Sequence, residues 1–167
     1  PRLSPDNTRL AVTVVSTDGR QDIWVDDLER GTSTRLTNNG TSLFPAWSLD
    51  GNRVFFAGSV LPPWGLYSRA ANGSDKRESV LTSPAALTLP FSWTPDGQAL
   101  SFVRMESMVS ADIWTVSPTG DRVPYLVTPF ADGNHDLSPD GRWMAYNSNE
   151  SGQLEVYIQR YSEPGEK

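Results

Sequence analysis

The stretch Leu137-Ser138-Pro139-Asp140-Gly141-Arg142-Trp143-Met144-Ala145-Tyr146 reads as the end of one strand, a tight turn and the start of a second strand. Three earlier copies exist: Leu3-Ser4-Pro5-Asp6-Asn7, Trp47-Ser48-Leu49-Asp50-Gly51 and Trp93-Thr94-Pro95-Asp96-Gly97. Proline pre-sets φ at the first central position of such a turn. Aspartate bonds the backbone two residues on, and glycine accepts the positive φ that returns the chain as a hairpin. Asn7 replaces glycine in the first copy, and asparagine tolerates the left-handed region better than most residues. Leu49 replaces proline in the second copy, which loses rigidity without forbidding the turn.

The hydroxyl positions Ser4, Ser48, Thr94 and Ser138 stand 44, 46 and 44 residues apart. A period of that size signals a repeat architecture, and a four-stranded propeller blade takes about 40–50 residues. The predicted fold is all-β: a β-propeller fragment of about three and three-quarter antiparallel blades in one partial domain, 1–167. The repeats run approximately 1–43, 44–89, 90–133 and 134–167, the last without its final strand. Alternation places four strands, A to D, in each repeat. Strand B is expected at 9–15, 53–57, 99–104 and 143–148; strand C at 22–26, 65–68, 112–116 and 155–159. Strand D is expected at 34–37, 79–82 and 124–128. Three sets of equivalent positions are assigned to the core: Leu10, Val54, Leu100 and Met144; Val12, Phe56, Phe102 and Tyr146; Trp24, Tyr67, Trp114 and Tyr157. Leu36, Leu81 and Val127 form a fourth set on strand D. Large apolar side chains in these slots pack one blade against the next.

Composition agrees with many short elements joined by turns. The 167 residues include 13 glycines and 13 prolines, and no helical period of useful length occurs. Formal net charge is −6, and the densest basic cluster is Lys76-Arg77. That is too small to neutralise a phosphate backbone, so neither nucleic acid nor direct membrane contact is expected. There is no cysteine, which excludes disulfides and thiolate metal sites. No apolar run approaches the roughly 20 residues of a membrane span. The chain is expected to be a piece of a longer protein.

The search for chemistry finds no catalytic constellation. The sole histidine, His135, has Asp136 beside it, but neighbours in a strand point to opposite faces, so Asp136 does not orient the ring. No Gly-x-Ser-x-Gly elbow occurs. Asp18, Asp22, Asp26 and Asp27 are the densest acidic group, without the ligand spacing and closing glutamate of a calcium loop. No cofactor, no metal site and no enzymatic activity are expected.

The pattern Pro45-Ala46-Trp47-Ser48, with Asp22-Ile23-Trp24, Asp112-Ile113-Trp114 and Arg35-Leu36-Thr37, resembles the WD40-like repeat of TolB-type β-propellers over essentially the whole chain. The last unit, Ser138 to Tyr146 followed by Ser148-Asn149-Glu150-Ser151-Gly152 and Glu155-Val156-Tyr157-Ile158, is similar to the propeller of some bacterial serine/threonine kinases. The resemblance implies a periplasmic or extracytoplasmic module, non-catalytic, that binds a protein or small ligand at its funnel face. The alternative is the accessory propeller of a prolyl-oligopeptidase-like hydrolase whose catalytic domain lies elsewhere. The matched residues are turn and core positions, so no functional residue carries over. Strand A is the inner strand of such a blade, which makes Phe44, Pro90, Asn134 and His135 the expected channel-mouth positions. A protein partner is expected. So is self-association, as a homodimer whose arcs complete a larger ring; a closed four-bladed ring is the alternative.

Overall fold

The computed structural model describes residues 1–59, 64–83, 86–94, 96–107 and 109–162. Fifteen strands occur among them. In chain order they are β1 (Arg2–Leu3), β2 (Arg9–Val15), β3 (Gln21–Asp27), β4 (Thr32–Arg35), β5 (Ser42–Trp47), β6 (Arg53–Gly58), β7 (Trp64–Ala70) and β8 (Glu78–Ser83). They continue as β9 (Leu87–Trp93), β10 (Leu100–Ser107), β11 (Ser110–Val116), β12 (Arg122–Leu126), β13 (Gly133–Leu137), β14 (Trp143–Ser148) and β15 (Glu155–Arg160). They form sheets β1-β2-β3-β4, β5-β6-β7-β8, β9-β10-β11-β12 and β13-β14-β15, each antiparallel between sequential neighbours. The first three are complete four-stranded blades and the last has three strands. The chain divides into two compact units, Pro1–Ala85 and Ala86–Lys167, with two blades in each.

The recurring turn is closed by its hydroxyl. Ser4, Ser48, Thr94 and Ser138 donate to the carboxylates of Asp6, Asp50, Asp96 and Asp140 at 2.5, 2.6, 2.6 and 2.6 Å. The same oxygens accept the amides that open strand B, from Arg9, Arg53, Ala99 and Trp143, at 2.9–3.0 Å. Each aspartate also accepts an amide two residues on, from Thr8, Asn52, Gln98 or Arg142. Asn7, Gly51, Gly97 and Gly141 take φ of 59, 67, 70 and 68°, as the hairpin requires.

In the first unit, the buried cluster Ala11, Ile23, Val25, Leu36, Trp47, Val54, Phe56, Tyr67 and Ala71 joins one face of the first blade to one face of the second. Trp47 Nε1 donates to Arg2 O at 2.9 Å, and the Arg9 guanidinium lies 4.9 Å from the Trp47 ring centre. In the second unit, Ile113 and Leu126 of the third blade meet Met144 and Tyr146 of the fourth, with Tyr125, Leu137, Tyr157 and Tyr161 packed around them. Burying side chains of this size stabilises by about 1.5–3 kcal/mol each, and so supplies the main cohesion within each unit.

One core assignment is corrected. Val127 is 56% exposed, and Leu126 fills its slot at 6%. The β11–β12 register shifts between Ile113 and Trp114, which passes over Tyr125 and sets Leu126 opposite Ile113; the residue before the threonine, which fills the slot as Leu36 and Leu81, lies one position too far along here. The third-blade strand D ends at Leu126, and β9 begins at Leu87, within the span assigned to the second repeat. The tail from Pro164 and most of the connection between Gly58 and Trp64 lie outside the described residues.

Candidate functional site

Strand A of the second blade, β5, and of the fourth, β13, carry the same irregularity. The register slips between Leu43 and Ala46, and again between Gly133 and Asp136. Each slip contains a residue with positive φ that is not glycine: Phe44 at 55° and Asn134 at 43°. Asparagine enters this region at small cost, whereas an aromatic residue there stores about 1–2 kcal/mol of strain. Phe44 is 42% exposed, and Asn134 is exposed as well. The equivalent residue of the third blade is Pro90, whose ring forbids positive φ. It pairs with Phe102 with its side chain buried, and the register of β9 slips just beyond it, between Pro90 and Trp93.

The slip inverts which side chains reach solvent. Pro45, Phe91 and His135 follow Phe44, Pro90 and Asn134, and all three are buried. His135 is 1% exposed and lies against Phe91, ring centres 4.8 Å apart and tilted by 38°. Its Nε2 is 2.7 Å from Ser101 Oγ. Ser101 donates its one hydroxyl proton to Ser92 O at 2.5 Å, so the contact with the ring runs from His135 Nε2–H to Ser101 Oγ. Of the four positions expected at a channel mouth, Phe44 and Asn134 are presented to solvent. Pro90 and His135 are core, because the bulge that turns Asn134 outward turns His135 inward. The exposed pair has a signature that alternation cannot reveal, since a bulge breaks the period of two.

The acidic cluster of the first blade is divided among separate structural tasks. Asp22 is almost fully buried and accepts from Arg35 Nη2 at 2.7 Å, Thr37 Oγ1 at 2.9 Å and the Gly40 amide at 3.1 Å. Burial pushes its carboxyl up, but these three donors outweigh it and the group ends below the ordinary carboxylate range. Asp18 accepts from Ser16, Asp26 accepts from Ser33, and Asp27 accepts the amides of Glu29 and Arg30. Among the described residues no three His, Asp or Glu converge as metal ligands. Asp112 holds the place of Asp22 in the third blade, yet its carboxyl shifts the other way. Burial pushes it up, and the cation near it, Arg104, is engaged by Glu106.

Two recesses open at the turn ends of blades. One of about 440 Å³ in the first unit is polar, with Asp6, Arg9, Asp27, Glu29 and Arg30 among its lining. One of about 310 Å³ in the fourth blade is bounded by Arg142, Trp143, Arg160 and Tyr161.

Four-stranded antiparallel units repeated at this period, each packed face to face on its neighbour within a unit, are blades of a β-propeller. The family described as PD40, TolB beta propeller domain, matches residues 1–162. The chain belongs to that family. It is 32% identical over 103 residues to a TolB homologue of Chlorobium chlorochromatii, covering 62% of this chain and 22% of that protein. Among solved structures, TolB from Acinetobacter baumannii superposes with a TM-score of 0.82 at 24% identity, over 97% of this chain and 40% of the other. A puromycin-hydrolyzing peptidase of Mycobacterium tuberculosis shares the fold at a TM-score of 0.67 and 16% identity, over 94% of this chain and 28% of the peptidase. The chain thus spans less than half the length of each of these proteins.

Proposed function

We propose that this chain is part of a non-catalytic propeller that binds a protein partner through the ends of its A strands, in an extracytoplasmic setting. The observation that carries the reading is Phe44. An aromatic residue held at φ 55° with 42% of its surface exposed is costly to fold, and strain of this kind collects at ligand clamps. Exposed aromatics are also preferred anchors of protein interfaces. Asn134 offers the equivalent bulge in the fourth blade with a polar tip. Membership of the TolB family supports a binding role over catalysis. The test is affinity capture from extracytoplasmic extract with the parent chain and with Phe44→Ala, followed by quantitation of each retained protein. At least one should fall by about tenfold or more in the variant, the loss typical of an anchor residue. An identical set, retained equally, would overturn the reading.

A further inference from the structure

Two asparagine–glycine steps occur in the chain, Asn39-Gly40 and Asn72-Gly73. Asparagine is thermolabile, and a following glycine has no Cβ to shield its peptide nitrogen from the side-chain carbonyl carbon. The fold puts the two steps in opposite surroundings.

Asn39 lies between β4 and β5, partly buried. Its Nδ2 donates to Thr41 Oγ1 and to Ser59 O, each at 3.0 Å, and its Oδ1 accepts from Ser42 Oγ at 2.7 Å. The Gly40 amide is held as well, donating to the buried Asp22 carboxylate at 3.1 Å. Both ends of the Asn39 amide are fixed, and its nitrogen leaves only if two bonds break. Asn72 lies in the turn between β7 and β8 and is exposed. Its Oδ1 accepts the Ser74 amide at 3.0 Å, whereas its Nδ2 has no bond among the described residues. Gly73 stands at φ 72°, and its amide closes the turn on Ala70 O at 2.9 Å. In an exposed turn such a bond opens readily to water. The Ser74 amide polarises the Asn72 carbonyl and stabilises the negative charge that gathers on Oδ1 when a nucleophile adds to Cγ. The chain itself holds that nucleophile, the Gly73 nitrogen, one residue away.

We propose that Asn72 is a site of spontaneous deamidation and that the fold protects Asn39 from the same reaction. The Gly73 nitrogen gives its proton to solvent and bonds to Asn72 Cγ. The Cγ–Nδ2 bond then breaks, and the nitrogen leaves as ammonia to give a five-membered cyclic imide. Water adding at Cγ opens the ring to aspartate. Water adding at the main-chain carbonyl opens it to isoaspartate, in which the main chain runs through Cγ. One water is consumed, one ammonia is released and nothing is oxidised. Either product puts a carboxylate on the wall of the polar recess, where Asn72 stands with Arg9, Asp27, Glu29 and Arg30. The isoaspartyl form also displaces Gly73, whose carbonyl accepts Arg69 Nη2 at 2.9 Å; the same guanidinium reaches Leu36 O in the first blade. The reaction thus changes both the charge of the recess and a tie between two blades. It involves neither Phe44 nor Asn134 and does not rest on the partner-binding reading.

The test holds the folded chain at mildly alkaline pH and physiological temperature, then follows each asparagine–glycine peptide by digestion and mass spectrometry. The Asn72 peptide should gain one mass unit with time and split into two chromatographic forms, aspartyl and isoaspartyl. Asn39 should convert at least about tenfold more slowly, the effect of one or two hydrogen bonds on a barrier. In urea, where both steps lose their surroundings, the two rates should converge. Asn72→Gln, whose side chain would have to close a larger ring, should leave that peptide unchanged. An Asn72 peptide of constant mass in the folded chain would overturn the site, and so would a mass gain in the Asn72→Gln peptide. Equal rates in the folded chain, or an Asn39 that stays slow in urea, would overturn protection by the fold.

Discussion

The hydroxyl of Ser4, Ser48, Thr94 or Ser138 both donates to a carboxylate and accepts the amide that opens strand B, so one atom ties a turn to a strand. The bond has an electrostatic consequence. The hydroxyl of Ser4 lowers Asp6 to about 2, and that of Ser138 lowers Asp140 to about 2, with amide donors adding to both. A carboxyl whose folded pKa lies below its unfolded value stabilises the fold above the ordinary value near 3.8. That stability is lost as pH falls from about 4 to about 2. The melting temperature should therefore decline across that window. The double variant Asp6→Asn, Asp140→Asn should start lower at neutral pH and decline less, the two curves converging near pH 2. Parallel curves would show that these turns carry none of the acid sensitivity. Proline, aspartate and glycine were legible in the turn from sequence. The hydroxyl was legible only as a recurring letter, because its two simultaneous bonds depend on where strand B begins.

At the scale of elements, strands B and C follow the sequence pattern closely, β2 and β14 with the expected bounds; all of them but β15 pair on two sides, and they alternate cleanly. Strands A and D lie at blade edges, where bulges occur, and there the reading slipped. In strand D the position before the threonine is core at Leu36 and Leu81, but in the third blade Leu126 takes that place and Val127 is exposed. In strand A bulges exposed Phe44 and Asn134 and buried His135. A register shift is one residue long and needs no distinctive composition, so it leaves little trace in a sequence. The consequence for β12 is measurable. Leu126→Ala should cost about 2–4 kcal/mol in urea denaturation through the cavity it leaves against Ile113 and Met144, whereas Val127→Ser should change stability by less than about 0.5 kcal/mol. Equal costs would mean that Val127 shares the slot.

For the whole molecule, the period of the turn was enough to identify a propeller, and membership of the TolB family rests on residues that build turns and cores. Those residues recur because every blade needs them, so they carry no information about a ligand. The blades differ from one another in their A strands and in polar groups such as Asp22 and Asp112. A net charge of −6 keeps like molecules apart at long range, but it is screened within about 8 Å at physiological salt and leaves short-range contact between apolar faces intact.

The three-stranded blade has a consequence in time as well as in space. In the sheet β13-β14-β15, β15 pairs with β14 on one side and with no described strand on the other. Alternate amides of an antiparallel strand point away from its neighbour, so about half of those in β15 face outward, with no ladder bond among the described residues. In heavy water these should exchange within seconds, while the amides of β14, bonded on both sides, should persist for hours or longer. Slow exchange throughout β15 would instead reveal that another strand already lies along it. The deuterium pattern along six residues thus reports whether the last blade stands open in solution.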